Sequence, residues 1–203
     1  MDENKETTNV EINEEPININ AFIEDAVANL DSKYSEKDKE EQMNLLKVIF
    51  DEGLLPREAM GFTDEMIDTL YDYGYRRFTS GNYDEAEVVF RLLLALDPND
   101  AKYPFALATS YHHQKKYKNA ADSYYLASFL DPLSPLPFFH MSDCFLQMDD
   151  KFSALVALGN TIRRAEIDIS YANILDRAKM AFESLEKQLA DEIKQQENQE
   201  KKS

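Results

Sequence analysis

Tyr71, Tyr75 and Phe78 stand four and three residues apart, so on a helix their side chains share one stripe, which Asp68 extends by a turn. The same spacing returns in Lys102, Phe105, Thr109 and His112, with His113 alongside, and again in Leu136, Phe139, Asp143 and Leu146. The chemistry open to such stripes is recognition. Rings and aliphatic groups take up the spaced apolar side chains of an extended polypeptide, and tyrosine hydroxyls bond its backbone. Bond making has no comparable footing. His112-His113 lacks the spacing and carboxylate partners of a metal site, because adjacent helical residues point in different directions. Cys144 is the only cysteine, so no internal disulfide is possible, and no lysine or arginine lies within a helical turn to favour its thiolate. Paired acids such as Glu14-Glu15 and Asp149-Asp150 read as solvated or capping groups. With five glycines there is little material for a phosphate loop, and no Ser/His/Asp or Cys/His set is present. The expectation is a binding protein without catalysis, metal or cofactor.

The elements that carry these stripes repeat. Pro98 and Pro132 are 34 residues apart, and the stretch before each reads alike. The first copy holds Leu70, Tyr73, Gly74, Tyr83, Ala86, Phe90 and Pro98; the second holds Leu107, Ala108, Tyr111, Tyr117, Ala120, Tyr124, Ala127 and Pro132. A weaker third runs through Met141, Ser142, Phe145, Ala154 and Leu158, with Glu166 in the place of the proline. This is the signature of a tetratricopeptide unit, two antiparallel helices packed through small and aromatic residues. The expected fold is all-α: three such repeats over 63–170 in a right-handed superhelix, with N-terminal helices before and a C-terminal capping helix after. The first helix of each pair lines the inner wall of such a superhelix. Packing within the repeats is assigned to Leu70, Tyr73, Gly74, Leu107, Ala108 and Tyr111, so the second apolar stripe on the same helices needs a ligand to cover it.

Boundaries follow from caps and composition. Residues 1–19 form an acidic lead too poor in apolar side chains to order. Over 20–62, Asn20 is expected to cap a short helix carrying Phe22, Ile23, Ala26, Val27 and Leu30. A charged break follows over Asp31 to Lys39, then an amphipathic segment with Met43, Leu46, Val48, Ile49 and Phe50, stopped by Gly53 and Pro56. These leading helices belong to no repeat, and their apolar faces must be covered by the first repeat or by another copy of the chain. In the repeat region the expected helix signals are Thr63 as a cap with Met66 in the apolar face, an Asn82–Glu85 capping box, Asn99 or Asp100, and Ser134-Pro135. From 171 to 195, Ile174, Ala178, Phe182, Leu185, Leu189 and Ile193 mark the capping helix, and 196–203 a polar tail that frays.

Charge bounds the partner. A net charge of −17 and a pI near 4.5 exclude a nucleic-acid role, which needs a basic stripe, and disfavour an anionic membrane surface. Acidic repulsion between copies suits a protein that keeps a sticky partner in solution. No apolar run reaches the ~18 residues of a membrane span. The opening Met1-Asp2-Glu3-Asn4-Lys5 lacks the basic and apolar regions of a signal peptide, so a cytosolic location is expected.

Two segments are more specific than the repeat pattern: Leu70-Tyr71-Asp72-Tyr73-Gly74-Tyr75 followed by Gly81-Asn82-Tyr83-Asp84-Glu85-Ala86, and Pro137-Phe138-Phe139-His140-Met141-Ser142-Asp143-Cys144-Phe145-Leu146-Gln147-Met148. On these, the chain from about Leu55 to Leu185 resembles the class II chaperones of bacterial type III secretion, which look after hydrophobic translocator proteins. The resemblance implies a chaperone of the cytoplasm of a Gram-negative bacterium. It implies that a short extended segment near a translocator's N-terminus, with spaced proline and leucine, lies in the concave groove. The family's groove positions fall on Tyr71, Tyr75, Phe78, Phe105, Thr109 and His112; Lys102 and Phe139 join them by spacing. It further implies a homodimer through the helices before the repeats, on Phe22, Ile23, Val27, Leu30, Leu46, Ile49 and Phe50. The alternative is a general repeat scaffold that clamps a partner's C-terminal carboxylate, which needs Lys, Asn and Arg on the inner helices where Tyr71 and Tyr75 stand.

Overall fold

The computed structural model describes residues 19–28 and 34–200, and every regular element among them is helical. The chain divides between Leu54 and Leu55 into two units. In the first, α1 (Ile19–Ala28) carries Ile23 and Val27 one turn apart, both buried. Asn20 lies inside the first turn of this helix, not at its cap as the sequence suggested. Residues 1–18, Leu30 and the Phe22 side chain lie outside the described residues. α2 (Glu36–Glu52) starts within the stretch expected to be a charged break. The reason is a capping box: the Asp38 N–H donates to Ser35 Oγ (3.2 Å), and the Ser35 N–H donates to the Asp38 carboxylate (2.8 Å). The hydroxyl and backbone bonds from Ser35 also hold the Asp38 carboxyl below its ordinary pKa. α2 stops at Gly53, whose φ of 68° is the left-handed conformation that ends helices without a Cβ clash.

The second unit begins with a short α3 (Pro56–Ala59), opened by Pro56 in its first turn. Arg57 fastens it, its guanidinium 2.7 Å from Asp64 and 3.3 Å from the buried Asp97. Three antiparallel pairs follow: α4 (Asp64–Thr79) with α5 (Tyr83–Leu96), α6 (Lys102–His113) with α7 (Tyr117–Leu130), and α8 (Leu136–Gln147) with α9 (Lys151–Ala165). A 3-10 turn at Ile169–Tyr171 leads into α10 (Ala172–Glu200), which packs on α9. The all-α repeat architecture is as the spacing predicts. The helix backbone runs to Glu200, past the expected end at 195.

Within each repeat the close helix approach falls where the pattern places a small residue. A Cβ on Gly74 would meet the Phe90 ring at 2.9 Å and the Val89 side chain at 3.0 Å. Ala108 and Ser142 occupy the corresponding positions of the next two repeats. The expected packing role of Tyr73 is not realised: it is 38% exposed, with the Arg77 guanidinium 4.9 Å from its ring centroid. Met66 is exposed too; Ile67 is buried in its stead, and Leu70 and Tyr71 pack against the same cluster as Phe90 and Leu93. A helix turns about 100° per residue, so Ile67, Leu70, Tyr71 and Gly74 share a face that Met66 and Tyr73 flank.

Caps divide similarly. Thr63 accepts from the Met66 N–H (3.3 Å), Asp100 from Lys102 (2.9 Å) and Ser134 from Leu136 (3.3 Å). The Asn82–Glu85 box does not form, because Glu85 turns to Arg77 (3.1 Å) and Asn82 makes no side-chain cap bond. Specific bonds close the seams between repeats. Lys116 meets Glu87 at 2.8 Å, and Gln114 donates to the Tyr83 carbonyl (3.1 Å). Arg164 of α9 donates from one nitrogen to the carbonyls of Ser128, Asp131 and Ser134 at 3.0–3.1 Å while lying 4.6 Å from the Phe138 centroid. Where the third repeat has Glu166 instead of proline, its carboxylate pairs with Lys179 of α10 (2.9 Å). Ala178 and Leu185 of α10 are buried against Ala154 and Leu158, so the last repeat's apolar face is covered.

Candidate functional site

The first helices of the pairs, α4, α6 and α8, and then α10 meet in succession, Tyr71 with Lys102, His112 with Asp143 and Phe139 with Arg177, and so form one wall. At its start the half-buried Tyr71 lies 5.8 Å from Phe90 and 6.1 Å from Tyr103, ring to ring. The Lys102 ammonium sits 5.2 Å from the Tyr71 centroid, and burial raises the pKa of the Tyr71 hydroxyl, keeping it a neutral donor. Tyr75, a turn further on, is 55% exposed. Phe78 packs on Tyr83 (5.4 Å) and on the edge of His113 (5.2 Å).

α6 meets α8 through a cluster of rings. Phe105 lies edge-on to Tyr124 (5.4 Å) and to His140 (5.7 Å), and His140 stacks on Tyr124 (5.5 Å). The Tyr124 hydroxyl donates to Thr109 Oγ1 (3.3 Å), and Thr109 donates to the Phe105 carbonyl (2.9 Å). His112 Nε2 lies 2.8 Å from Asp143, an inter-repeat bond that uses the histidine for structure. Burial lowers the His140 pKa, with His112 and Arg177 adding repulsion that Asp143 partly opposes. Cys144 behind this wall is buried, and burial pushes its thiol up to about 12, as expected of a packing residue.

Two cavities open on the wall. Tyr71, Lys102, Phe105, Leu136 and Pro137 border one of about 230 Å³. Phe139, Asp143, Leu146, Ile174, Arg177 and Met180 border a second of about 660 Å³. The structure thus brings Tyr71, Lys102 and Phe105 together, and places Phe139 at the second cavity with Thr109 and His112 in the wall between. Tyr75 and Phe78 line the α4 side, outside both cavities. The α10 residues Ile174, Arg177 and Met180 were missed, since the sequence reading treated that helix only as a cap. Their signal was present: Ile174, Arg177 and Ala181 have the same three-and-four spacing as the other stripes. Lys102 is matched by Asp100 at 3.2 Å, which removes the free cation a carboxylate clamp would need there.

Among the residues expected to pair two copies, Ile23 and Val27 are buried within the single chain, Leu46 and Ile49 are half-buried, and Phe50 is 47% exposed. Among the described residues no helix is long and apolar enough to cross a membrane, and no cluster of His, Cys, Asp and Glu could hold a metal.

Comparison with known proteins agrees with this fold. The Tetratricopeptide repeat family matches residues 67–100 and 102–132. The chain is homologous to the chaperone protein SicA of Salmonella typhimurium, 32% identical over 97 residues, which are 48% of this chain and 59% of that protein. It is likewise related to the low calcium response locus protein H of Yersinia pestis, 28% identical over 85 residues, 42% of this chain and 51% of the relative. The matched stretch thus spans little more than half the length of these curated relatives. The crystal structure of PcrH, a Pseudomonas aeruginosa protein, in complex with the chaperone binding region of PopD superposes with a TM-score of 0.61 at 25% identity, covering 63% of this chain and 96% of that one.

Proposed function

We propose that this homologue of SicA and the low calcium response locus protein H is a class II type III secretion chaperone, holding an extended segment of a hydrophobic translocator protein in the groove lined by α4, α6 and α8. The observation that carries this reading is the second apolar stripe. Tyr71, Tyr75, Phe105 and Phe139 remain accessible after the repeats have packed, and open cavities of about 230 and 660 Å³ lie beside Tyr71 with Phe105 and beside Phe139. A wall of rings beside open cavities suits the shielding of spaced apolar side chains. The complex of PcrH with the chaperone binding region of PopD supports a polypeptide ligand for this fold. Covering the segment would keep the translocator from aggregating or from meeting its partner translocator early, in the bacterial cytoplasm, until export.

Affinity in such a groove concentrates in a few ring-lined pockets. Pairing of two copies would use the accessible side of α2, Leu46, Ile49 and Phe50, rather than the buried Ile23 and Val27. The test is fluorescence polarisation with labelled, end-capped peptides carrying spaced proline and leucine, set against acidic peptides with free C-termini. Saturable binding of the first set, weakened in Tyr71→Ala, supports the groove. Binding confined to the second set and lost in Lys102→Ala would replace it with a carboxylate clamp.

A further inference from the structure

The binding wall continues past the third repeat. Ile174, Arg177 and Ala181 of α10 join Phe139, Asp143 and Leu158 around the cavity of about 660 Å³. The Arg177 guanidinium lies 4.9 Å from the Phe139 ring centroid, a cation–π contact between two residues that line this cavity. It makes no ion pair among the described residues. Its helical neighbours three and four positions away, Asn173, Ile174, Met180 and Ala181, are all uncharged. Asp143, the one carboxylate bordering the cavity, is already bonded to His112 at 2.8 Å. In a chain with 39 acidic and 22 basic residues, a guanidinium left without a carboxylate beside a cavity of mixed polar and apolar lining is a complement for a group that comes from outside.

We propose that this end of the groove recognises a side-chain carboxylate of the bound segment, an Asp or Glu adjacent to an apolar residue that fills the cavity against Phe139, Leu158 and Ile174. The proposal rests on the groove reading above and adds to it a charge requirement at one register. Arg177 suits the task because its planar fork can pair both carboxylate oxygens while its face stays on the Phe139 ring. A segment carrying lysine there would meet Arg177 and be disfavoured, which gives the groove selectivity that apolar pockets alone lack.

The test walks a single glutamate along acetylated, amidated peptides with spaced proline and leucine, each compared with its glutamine and lysine counterparts. At one register glutamate should tighten binding about fivefold over glutamine, which corresponds to ~1 kcal/mol. The preference should shrink with added salt, vanish in Arg177→Gln and turn toward lysine in Arg177→Glu, with helicity unchanged in both. Tyr75→Ala should weaken glutamate and glutamine peptides alike and leave their ratio intact. Peptides that bind with no glutamate preference, or with one that survives Arg177→Gln, overturn this inference alone. Arg177-dependent binding only of peptides with free C-termini assigns the carboxylate to a chain end and overturns the side-chain assignment. If no peptide binds, the groove reading fails and this inference falls with it.

Discussion

Replacing Tyr75 by alanine removes a ring that is 55% exposed in the free protein. A tyrosine side chain offers about 200 Å² in all, so about 110 Å² remains for a ligand to cover. At about 25 cal/mol per Å² the ceiling is ~2.7 kcal/mol, and a ligand lying on one side of the ring would realise about half of it. The expected loss is therefore ~1.4 kcal/mol, or about tenfold in Kd. Stability should change little, since an exposed side chain adds little to the core. Tyr73 is the internal control. It sits two residues earlier, on the opposite side of α4, 38% exposed under Arg77. Tyr73→Ala should leave affinity within about twofold, a difference below ~0.5 kcal/mol. Fluorescence polarisation measures both variants against one capped peptide, with far-UV circular dichroism as the check on folding. Equal losses in the two variants, or none in Tyr75→Ala, would refute the assignment of the groove to this face.

Other expectations concern the scaffold. Gly74→Ala inserts a methyl group against the Phe90 ring, and overpacking of about 1–3 kcal/mol should outweigh the helix-propensity gain of up to ~1 kcal/mol. Its urea midpoint should fall; a rise would mean that α4 and α5 can separate freely. Arg164→Leu strips the carbonyls of Ser128, Asp131 and Ser134 of a charged donor and should cost ~1.5–3 kcal/mol in urea denaturation, with Arg164→Lys restoring only part. An unchanged midpoint in Arg164→Leu would show the seam to be held by packing alone. His140 has a lowered folded-state pKa, so the unfolded chain takes up its proton first. Its neutral form therefore supports stability above about pH 6.5, and that support is lost as pH falls through the folded-state pKa. Thermal scans should show His140→Phe losing less stability on acidification below that pH than the wild type does; identical pH profiles would contradict it.

The repeat register was legible because it is written in spacing. Pro98 and Pro132, Gly74 and Ala108, Phe90 and Tyr124 all recur 34 positions apart, and a helix pair can be read from small residues and rings at fixed intervals. The stripe was legible for the same reason, and Tyr71, Phe105 and Phe139 fall on one wall. Assigning two tyrosines that lie two residues apart was harder. Tyr71 and Tyr73 are the same residue type, and only the position of Phe90 across the helix pair decides which is covered. Caps misled where a competing partner existed, as when Arg77 drew Glu85 away from Asn82. The contribution of α10 was missed because its strongest pattern, Ala178, Phe182, Leu185 and Leu189, describes the face on α9. Ile174 and Arg177, at the edge of that face, gain meaning as groove residues only once Phe139 is placed beside them.

The most direct measurement is site-specific photo-crosslinking of the full chain to a co-expressed translocator. A benzophenone side chain is placed at Tyr75 or Phe139 on the wall, or at Tyr125, which is 64% exposed on α7, a second helix of a pair. Cross-links from positions 75 and 139 to one contiguous translocator segment, with none from 125, are the predicted result. A cross-link from 125 alone would place the ligand on the outer face and contradict the groove.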